Sequence, residues 1–249
     1  KFLSEVKTDF IVETGDDDFL IIDGLKKLIS FLRTNSDYSG VNGQCINIFS
    51  SKNINEIDGI SFYEMCKRKE KDQLLRLKNH FKEYRVPNFS VFRKSTFKKV
   101  LSHIPDYEDI HLCPDREIVD ELIQSSFSVI YTKIFKLKTL YLVRHITPIR
   151  QNTLQEIRYK DLDLFKKSKE FLESSILNAL KKRNPDQSIK ELINDYFHTN
   201  KNNKNNLKNI QIMYKRFINI FKFIFLKNIE NNMDFKRIKN IILKFEMEC

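Results

Sequence analysis

The acidic run Asp16-Asp17-Asp18 has the clearest capacity for chemistry in this sequence. It comes shortly after the apolar segment 10–12, which is typical of a short buried strand. We expect that strand to be central in a sheet, with the acidic run at its carboxyl end facing an open cleft. Three carboxylates repel one another in a confined site, and a divalent cation removes that repulsion. Hard cations such as Mg²⁺ and Mn²⁺ prefer carboxylate and phosphate oxygens as ligands. The run therefore indicates a metal site; the alternative is that Asp18 caps the following helix while Asp16 and Asp17 are solvated.

The segments around the acidic run predict a strand, an acidic loop, a helix and a second strand, in that order. Apolar residues recur at helical spacing from Phe19 to Arg33, and residues 41–49 form the second strand candidate. This order is typical of a βαβ-like unit. Further helices are predicted over 69–84, 95–102 and 115–126, strands over 89–92, 127–131 and 140–146, a polar loop over 50–60, and helices from about 161 onward.

The composition favours a folded, helix-rich chain over several other classes of protein. Of its 249 residues, 41% are hydrophobic and 12% aromatic, which is enough for a substantial core and too much for a disordered chain. Charged residues make up 31% of the chain, which excludes a membrane-embedded protein. Only five glycines and five prolines occur, which argues against a turn-rich β-sandwich.

The net charge of +11 is concentrated at the end of the chain. Residues 201–249 hold eleven Lys or Arg against four Asp or Glu, a net +7, so the rest is nearly balanced and a nucleic-acid-binding core is not indicated. Phe217, Phe221 and Ile224 share one predicted helical stripe, with basic residues elsewhere on the helix. Such a helix can lie on an anionic membrane. We expect instead that residues 207–247 are helical and that the stripe packs on residues 161–198.

The cysteines predict the redox state of the chain. Cys45, Cys66, Cys113 and Cys249 form no CxxC pair and lie far apart, so they are expected as reduced thiols and not as a zinc site or a disulfide framework. No signal peptide opens the sequence, and no apolar run approaches the ~18 residues that a membrane span needs. These features predict a cytoplasmic protein, and residues 207–249 are the segment through which it would contact a membrane peripherally.

Three blocks of sequence, in order, resemble the nucleotide-sugar glycosyltransferases of the GT-A fold, in a family-two-like branch. The first block reads Asp-Asp-Asp-Phe over 16–19, then a helix, then Asp-Tyr-Ser over 37–39. The second block covers 76–81 and 89–93, and the third covers 121–128 and 140–145. The resemblance spans about residues 1–150. It implies an α/β fold with a partial GT-A-like, Rossmann-like sheet domain over 1–150, followed by a basic α-helical C-terminal region over 151–249.

The resemblance implies a metal-dependent enzyme that moves a sugar from a nucleotide-sugar donor to a hydroxyl of a glycan or other acceptor, with inversion. In that family a D-x-D motif holds Mn²⁺ or Mg²⁺, which neutralises the leaving diphosphate. The implied metal ligands here are Asp16 and Asp18, the first and last residues of the run. Asp17 is a nearly equivalent candidate for binding the cation and diphosphate. The implied base that takes the acceptor proton is Glu121, with Asp120 as the second choice. Both acids are alternatively exposed helix residues.

His145 and Arg144 follow an apolar strand and carry two further implied roles. In the family a late His joins the metal or the diphosphate, and an Arg at this position can bind phosphate oxygens bidentately. The alternative is that His145 is a structural residue.

The family places a nucleotide-binding βαβ half before the D-x-D motif, whereas fifteen residues precede Asp16 here. We therefore expect the given sequence to lack that half and to be a poor enzyme alone. The rival hypothesis is a non-enzymatic helical interaction module that docks on a membrane or on acidic partners through its basic tail.

Overall fold

The computed structural model describes residues 5–50, 57–104, 116–146, 170, 172–178, 180 and 190–195. Its strands are β1 (Phe10–Ile11), β2 (Asp18–Leu20), β3 (Gly40–Ser50), β4 (Ile57–Tyr63), β5 (Val91–Arg93) and β6 (Ile134–Ile146). Its named helices are α1 (Ile22–Thr34), α2 (Gln73–Lys82), α3 (Lys94–Leu101) and α4 (Arg116–Tyr131). The predicted helical tail, including Phe217, Phe221 and Ile224, lies outside the described residues.

The six strands form one mixed sheet, so the described part of the chain is an α/β structure. The strand order is β1-β5-β3-β6-β2, and β4 pairs with β3 beside this path. β3 and β6 are parallel neighbours, whereas every other pair is antiparallel. Because β6 follows α4 and lies between β3 and β2, the two long parallel strands form the centre of the sheet.

Apolar side chains bury the helices against this sheet in separate clusters. Leu28 and Leu32 of α1 pack with Val41 and Leu142 of the central strands. A second cluster joins α2, α3 and α4 with helical residues 172–178 and 190–195, from which Leu172, Ile176 and Ile193 are buried. In the described ranges, no helix is long and apolar enough to cross a membrane. Cys45 and Cys66 are free and buried, as expected for reduced thiols.

Several sequence-based boundaries differ from the structure, including the start of β6, which begins at Ile134 and not at 140. Residues 127–131 were predicted as a strand from their aromatic and branched types, but they continue α4, because Ile123, Phe127 and Ile130 recur at helical spacing and are all buried. Residues 57–60 belong to the predicted loop, but together with residues 61–63 they form β4 by pairing with β3. Phe19 and Leu20 belong to β2, so α1 begins only at Ile22.

Gly24 allows α1 to lie directly on β6. A Cβ at this position would lie 2.0 Å from the carbonyl oxygen of Leu140 and 2.8 Å from Cα of Tyr141, and backbone cannot move aside as a flexible side chain can. We therefore expect Gly24→Ala to lower the free energy of unfolding by about 1–3 kcal/mol or more through overpacking. Chemical denaturation measures the change, and Ser30→Ala on the exposed face of α1 should stay within about 0.5 kcal/mol of wild type.

Candidate functional site

Asp18 is the best-anchored residue of the acidic run. It lies opposite Arg144 in the β2–β6 register, with Oδ1 3.6 Å from Nε of Arg144. Its Oδ2 accepts a 3.0 Å hydrogen bond from the backbone N–H of Gly15. The Asp18 side chain is only 2% exposed and that of Arg144 is 17% exposed. Asp18 is thus a buried carboxylate paired with a cation and is not a helix cap, since Ile21 occupies the N-cap of α1.

The position of the acidic run in the sheet differs from expectation. A D-x-D site was expected after a central strand, but the preceding strand β1 lies at an edge of the described sheet and pairs only with β5 there. Asp18 lies beside a central strand because β2, at the opposite edge of the described strand order, pairs with the end of β6. It therefore lies near the carboxyl ends of the parallel strands β3 and β6, the edge at which open α/β sheets usually bind ligands. Within the run, Asp16 is exposed and Asp17 is half-buried.

Two aromatic rings hold the guanidinium of Arg144. Its Cζ lies 5.0 Å from the ring centroid of Tyr63 and 4.6 Å from that of Phe89, within the range of cation–π attraction. The two rings meet edge to face, 6.1 Å apart. Burial raises the pKa of Tyr63 to about 12, the charge of Arg144 opposes that rise, and the charge of Glu121 adds to it. Glu121 and Arg144 therefore both act electrostatically on the same phenol.

Glu121 is held by a chain of polar side chains between α2 and α4. Tyr84 donates a 2.9 Å hydrogen bond to Oε1 of Glu121 and lies 3.3 Å from the hydroxyl of Ser125. The Ser125 hydroxyl donates to the carbonyl of Leu122 and lies 3.3 Å from Nε2 of His80. The half-buried Glu121 is thus oriented by a named partner and is not a fully solvated helix acid. Asp120 lies in α4, but its side chain is outside the described residues.

A second contact ties α4 to the loop that carries the acidic run. The side-chain amide of Gln124 donates to the carboxylate of Glu13, three residues before Asp16. Burial raises the pKa of Glu13, and this hydrogen bond opposes the rise. Gln124 and Glu121 lie one helical turn apart on α4, so the face of α4 that carries Glu121 also contacts the loop that leads to the acidic run. Sequence reasoning missed Glu13, Tyr84 and Gln124; for Glu13, its place beside the acidic run was the available signal.

The structure does not bring His145 together with Arg144. Successive side chains of a strand project to opposite faces, so His145 lies on the face of Val143 and opposite Ile48 in the register. Arg144 lies on the face shared with Asp18. In the strand register, His145 and Asp18 therefore lie on opposite faces of the sheet.

The acidic run fits a divalent cation in the chemistry of its donors. Asp18 supplies a carboxylate, a hard oxygen donor of the kind that Mg²⁺ and Mn²⁺ prefer. Asp16 is open to solvent and can add a second hard oxygen. No group of three or more His, Cys, Asp or Glu side chains is already gathered around one point among the described residues.

Buried His80 makes the stability of the fold sensitive to pH. Burial, with a smaller effect of the charge of Arg68, lowers the pKa of His80 to about 3, against about 6.5 when unfolded. Between these two pKa values only the unfolded chain binds the proton. The contribution of His80 to the free energy of unfolding is therefore retained above about pH 6.5 and is lost as the pH falls toward 3. Between pH 7 and pH 5 we expect protonation of His80 in the unfolded chain to lower the free energy of unfolding by about 2 kcal/mol. His80→Gln should abolish this part of the pH dependence, which chemical denaturation at both pH values measures.

The chain was also compared with known proteins. No protein-family model matches it, and a search of curated proteins finds no relative.

Proposed function

We propose that this protein is a metal-dependent glycosyltransferase that moves a sugar from a nucleotide-sugar to an acceptor hydroxyl with inversion. In this proposal the sheet and its helices are the C-terminal part of a GT-A-like domain. The observation that carries it is the Asp18–Arg144 pair at the carboxyl ends of parallel strands. Gln124, one helical turn from Glu121, contacts Glu13 in the loop that leads to the acidic run. A carboxylate run, a guanidinium and a separate carboxylate are the groups that phosphate binding and proton removal need.

The residues around the acidic run would hold the donor. Asp16 and Asp18 would bind Mn²⁺ or Mg²⁺ with help from Asp17, and the cation supplies positive charge against the leaving diphosphate. Arg144 has further N–H donors beyond its Nε and can pair with phosphate oxygens, while Tyr63 and Phe89 limit its side-chain motion. Preorganised positive charge of this kind stabilises a developing anion without reorganisation during the reaction.

Glu121 is the proposed general base. It accepts the proton of the acceptor hydroxyl as that oxygen bonds to the anomeric carbon of the sugar. The bond between this carbon and the diphosphate oxygen breaks at the same time, and its electron pair leaves with the diphosphate. Attack from the face opposite the leaving group inverts the anomeric centre. Tyr84 keeps the Glu121 carboxylate in one orientation, and Asp120 is the second candidate for the base.

Release of the nucleoside diphosphate tests this function. The protein expressed from its complete reading frame is incubated with UDP-, GDP- and ADP-sugars, a hydroxyl-bearing acceptor mixture and Mn²⁺, and the released diphosphate is quantified. We expect release from at least one donor, and its loss on chelation of the metal. Absence of release from every donor, combined with salt-sensitive binding to anionic vesicles, would instead support a docking module that uses the basic residues 201–249.

A further inference from the structure

A row of polar side chains crosses four strands of the sheet through Arg144. Asp18 of β2 lies opposite Arg144 of β6, Arg144 lies opposite Asn47 of β3, and Asn47 lies opposite Ser61 of β4. Residues directly opposite one another on neighbouring strands project to the same face, so these four side chains share one face. Taken as whole residues all four are half-buried, and the side chain of Asp18 itself is almost fully buried. The alternating neighbours Ile46, Ile48 and Val143 are buried apolar residues.

The middle of this row holds two shielded polar atoms that make no hydrogen bond among the described residues. One is Oδ1 of Asn47, and the other is Nε of Arg144, which faces Oδ1 of Asp18 at 3.6 Å as an ion pair only. The amide of Asn47 donates only a long, 3.4 Å hydrogen bond to the hydroxyl of Ser61. Buried polar atoms without partners are costly, by about 1–3 kcal/mol each, and a bound ligand can remove that cost.

The chemistry changes along the row from charged to neutral. Arg144 attracts an anion, and its planar fork suits two phosphate oxygens. Asn47 and Ser61, one and two strands further from the acidic run, carry no charge and can exchange hydrogen bonds with hydroxyl groups. Either orientation of the Asn47 amide leaves a polar atom for a hydroxyl, which is both donor and acceptor.

We propose that Asn47 and Ser61 extend the Asp18–Arg144 pair into a binding row for a ligand that carries a phosphate next to neighbouring hydroxyl groups, as a sugar phosphate does. Arg144 binds the phosphate, and Asn47 and Ser61 bind the hydroxyls of the adjoining ring. This inference rests on the proposed function, because it takes the sugar phosphate in the row to be part of the nucleotide-sugar donor. It assigns two specificity-determining residues that the acidic motif does not include.

Ligand-observed NMR titrations of the full chain with glucose, galactose and mannose 1-phosphate, and with inorganic phosphate, test the row directly. We expect at least one sugar phosphate to bind about tenfold more tightly than phosphate. Asn47→Leu should remove this difference and leave the affinity for phosphate unchanged, and Ser61→Ala should reduce it by about three- to tenfold, as for one lost hydrogen bond. Arg144→Gln should weaken both ligands. Gln44→Leu, on the same strand but outside the row, is the matched control, and circular dichroism verifies folding of each variant.

The outcomes separate this inference from the proposed function. Three results would overturn the row. The first is equal affinity for phosphate and for every sugar phosphate, and the second is no measurable binding of any of them. The third is that Asn47→Leu and Ser61→Ala reduce the affinities for phosphate and sugar phosphate equally. Nucleotide-sugar turnover that is unaffected by Asn47→Leu and Ser61→Ala would also overturn it while leaving the glycosyltransferase function intact. Discrimination that depends on Asn47, in a protein that releases no diphosphate from any donor, would support the row and count against the transfer reaction.

Discussion

Glu121→Gln is expected to lower kcat for sugar transfer by ~10²–10⁴-fold while the KM for the donor changes little. The amide keeps the shape of the side chain and can still accept the hydrogen bond from Tyr84, but it cannot take up the acceptor proton. Steady-state kinetics with the donor identified by diphosphate release measures both constants. Glu83→Gln, an acid that is 67% exposed and pairs only weakly with Arg85, should retain wild-type turnover.

Two results would contradict the assignment of the base. If Glu121→Gln retains wild-type kcat, the proton leaves by another route, and the second candidate Asp120 becomes the variant to measure. If Glu121→Gln raises the KM for the donor and leaves kcat unchanged, Glu121 contributes to donor binding and not to proton transfer. Tyr84→Phe separates orientation from chemistry, because loss of a positioning hydrogen bond should lower kcat by much less than loss of the carboxylate.

Asp18→Asn is expected to abolish turnover and also to destabilise the fold. The carboxylate is 2% exposed and faces Arg144, so its neutralisation leaves a largely buried guanidinium without its counter-charge. Because Arg144 retains 17% exposure and contacts two aromatic rings, we expect a loss of about 1–3 kcal/mol in the free energy of unfolding. Denaturation and diphosphate release, measured on the same preparation, give both effects.

Asp23→Asn is the matched control for Asp18→Asn. Asp23 is also an acid beside a cation, but its side chain is 80% exposed and lies 3.9 Å from Lys26, so its change should be within about 0.5 kcal/mol and leave turnover intact. If Asp18→Asn alters stability no more than this control, then the Asp18–Arg144 pair does not anchor β2 to β6. Full turnover in Asp18→Asn would contradict its assignment as a ligand of the metal.

The elements with strong periodic patterns were predictable from the sequence. The helix around Leu28 and Leu32 follows a 3.6-residue period and the second strand around Ile46 is rich in apolar residues, so both were confirmed. β4 was missed because Asp58, Gly59 and Ser61 interrupt the apolar residues of 57–63. This segment forms a strand by pairing with β3. Local patterns cannot reveal such pairing, since it depends on tertiary context.

The chemical groups of the candidate site were easier to predict than their arrangement. The acidic run and Arg144 are visible as residue types, and the structure pairs Asp18 with Arg144. The contacts of Glu13 with Gln124 and of Tyr84 with Glu121 join residues 111 and 37 positions apart, which no local pattern contains. The central position expected for the strand before the acidic run was wrong, because its two-residue strand pairs with β5 at the sheet edge, and β2 carries Asp18 to β6.

Calorimetric binding of nucleoside diphosphates with and without Mn²⁺ tests the central claim, that the acidic run and Arg144 form one diphosphate site. The titrations use UDP, GDP, ADP and CDP with the protein from its complete reading frame, with Asp18→Asn and Asp23→Asn alongside. We predict saturable binding of at least one diphosphate that weakens at least about tenfold when Mn²⁺ is chelated or when Asp18 is replaced, and that is unchanged in Asp23→Asn. Binding of equal strength with and without Mn²⁺ and in Asp18→Asn, or no binding of any diphosphate, would contradict the account.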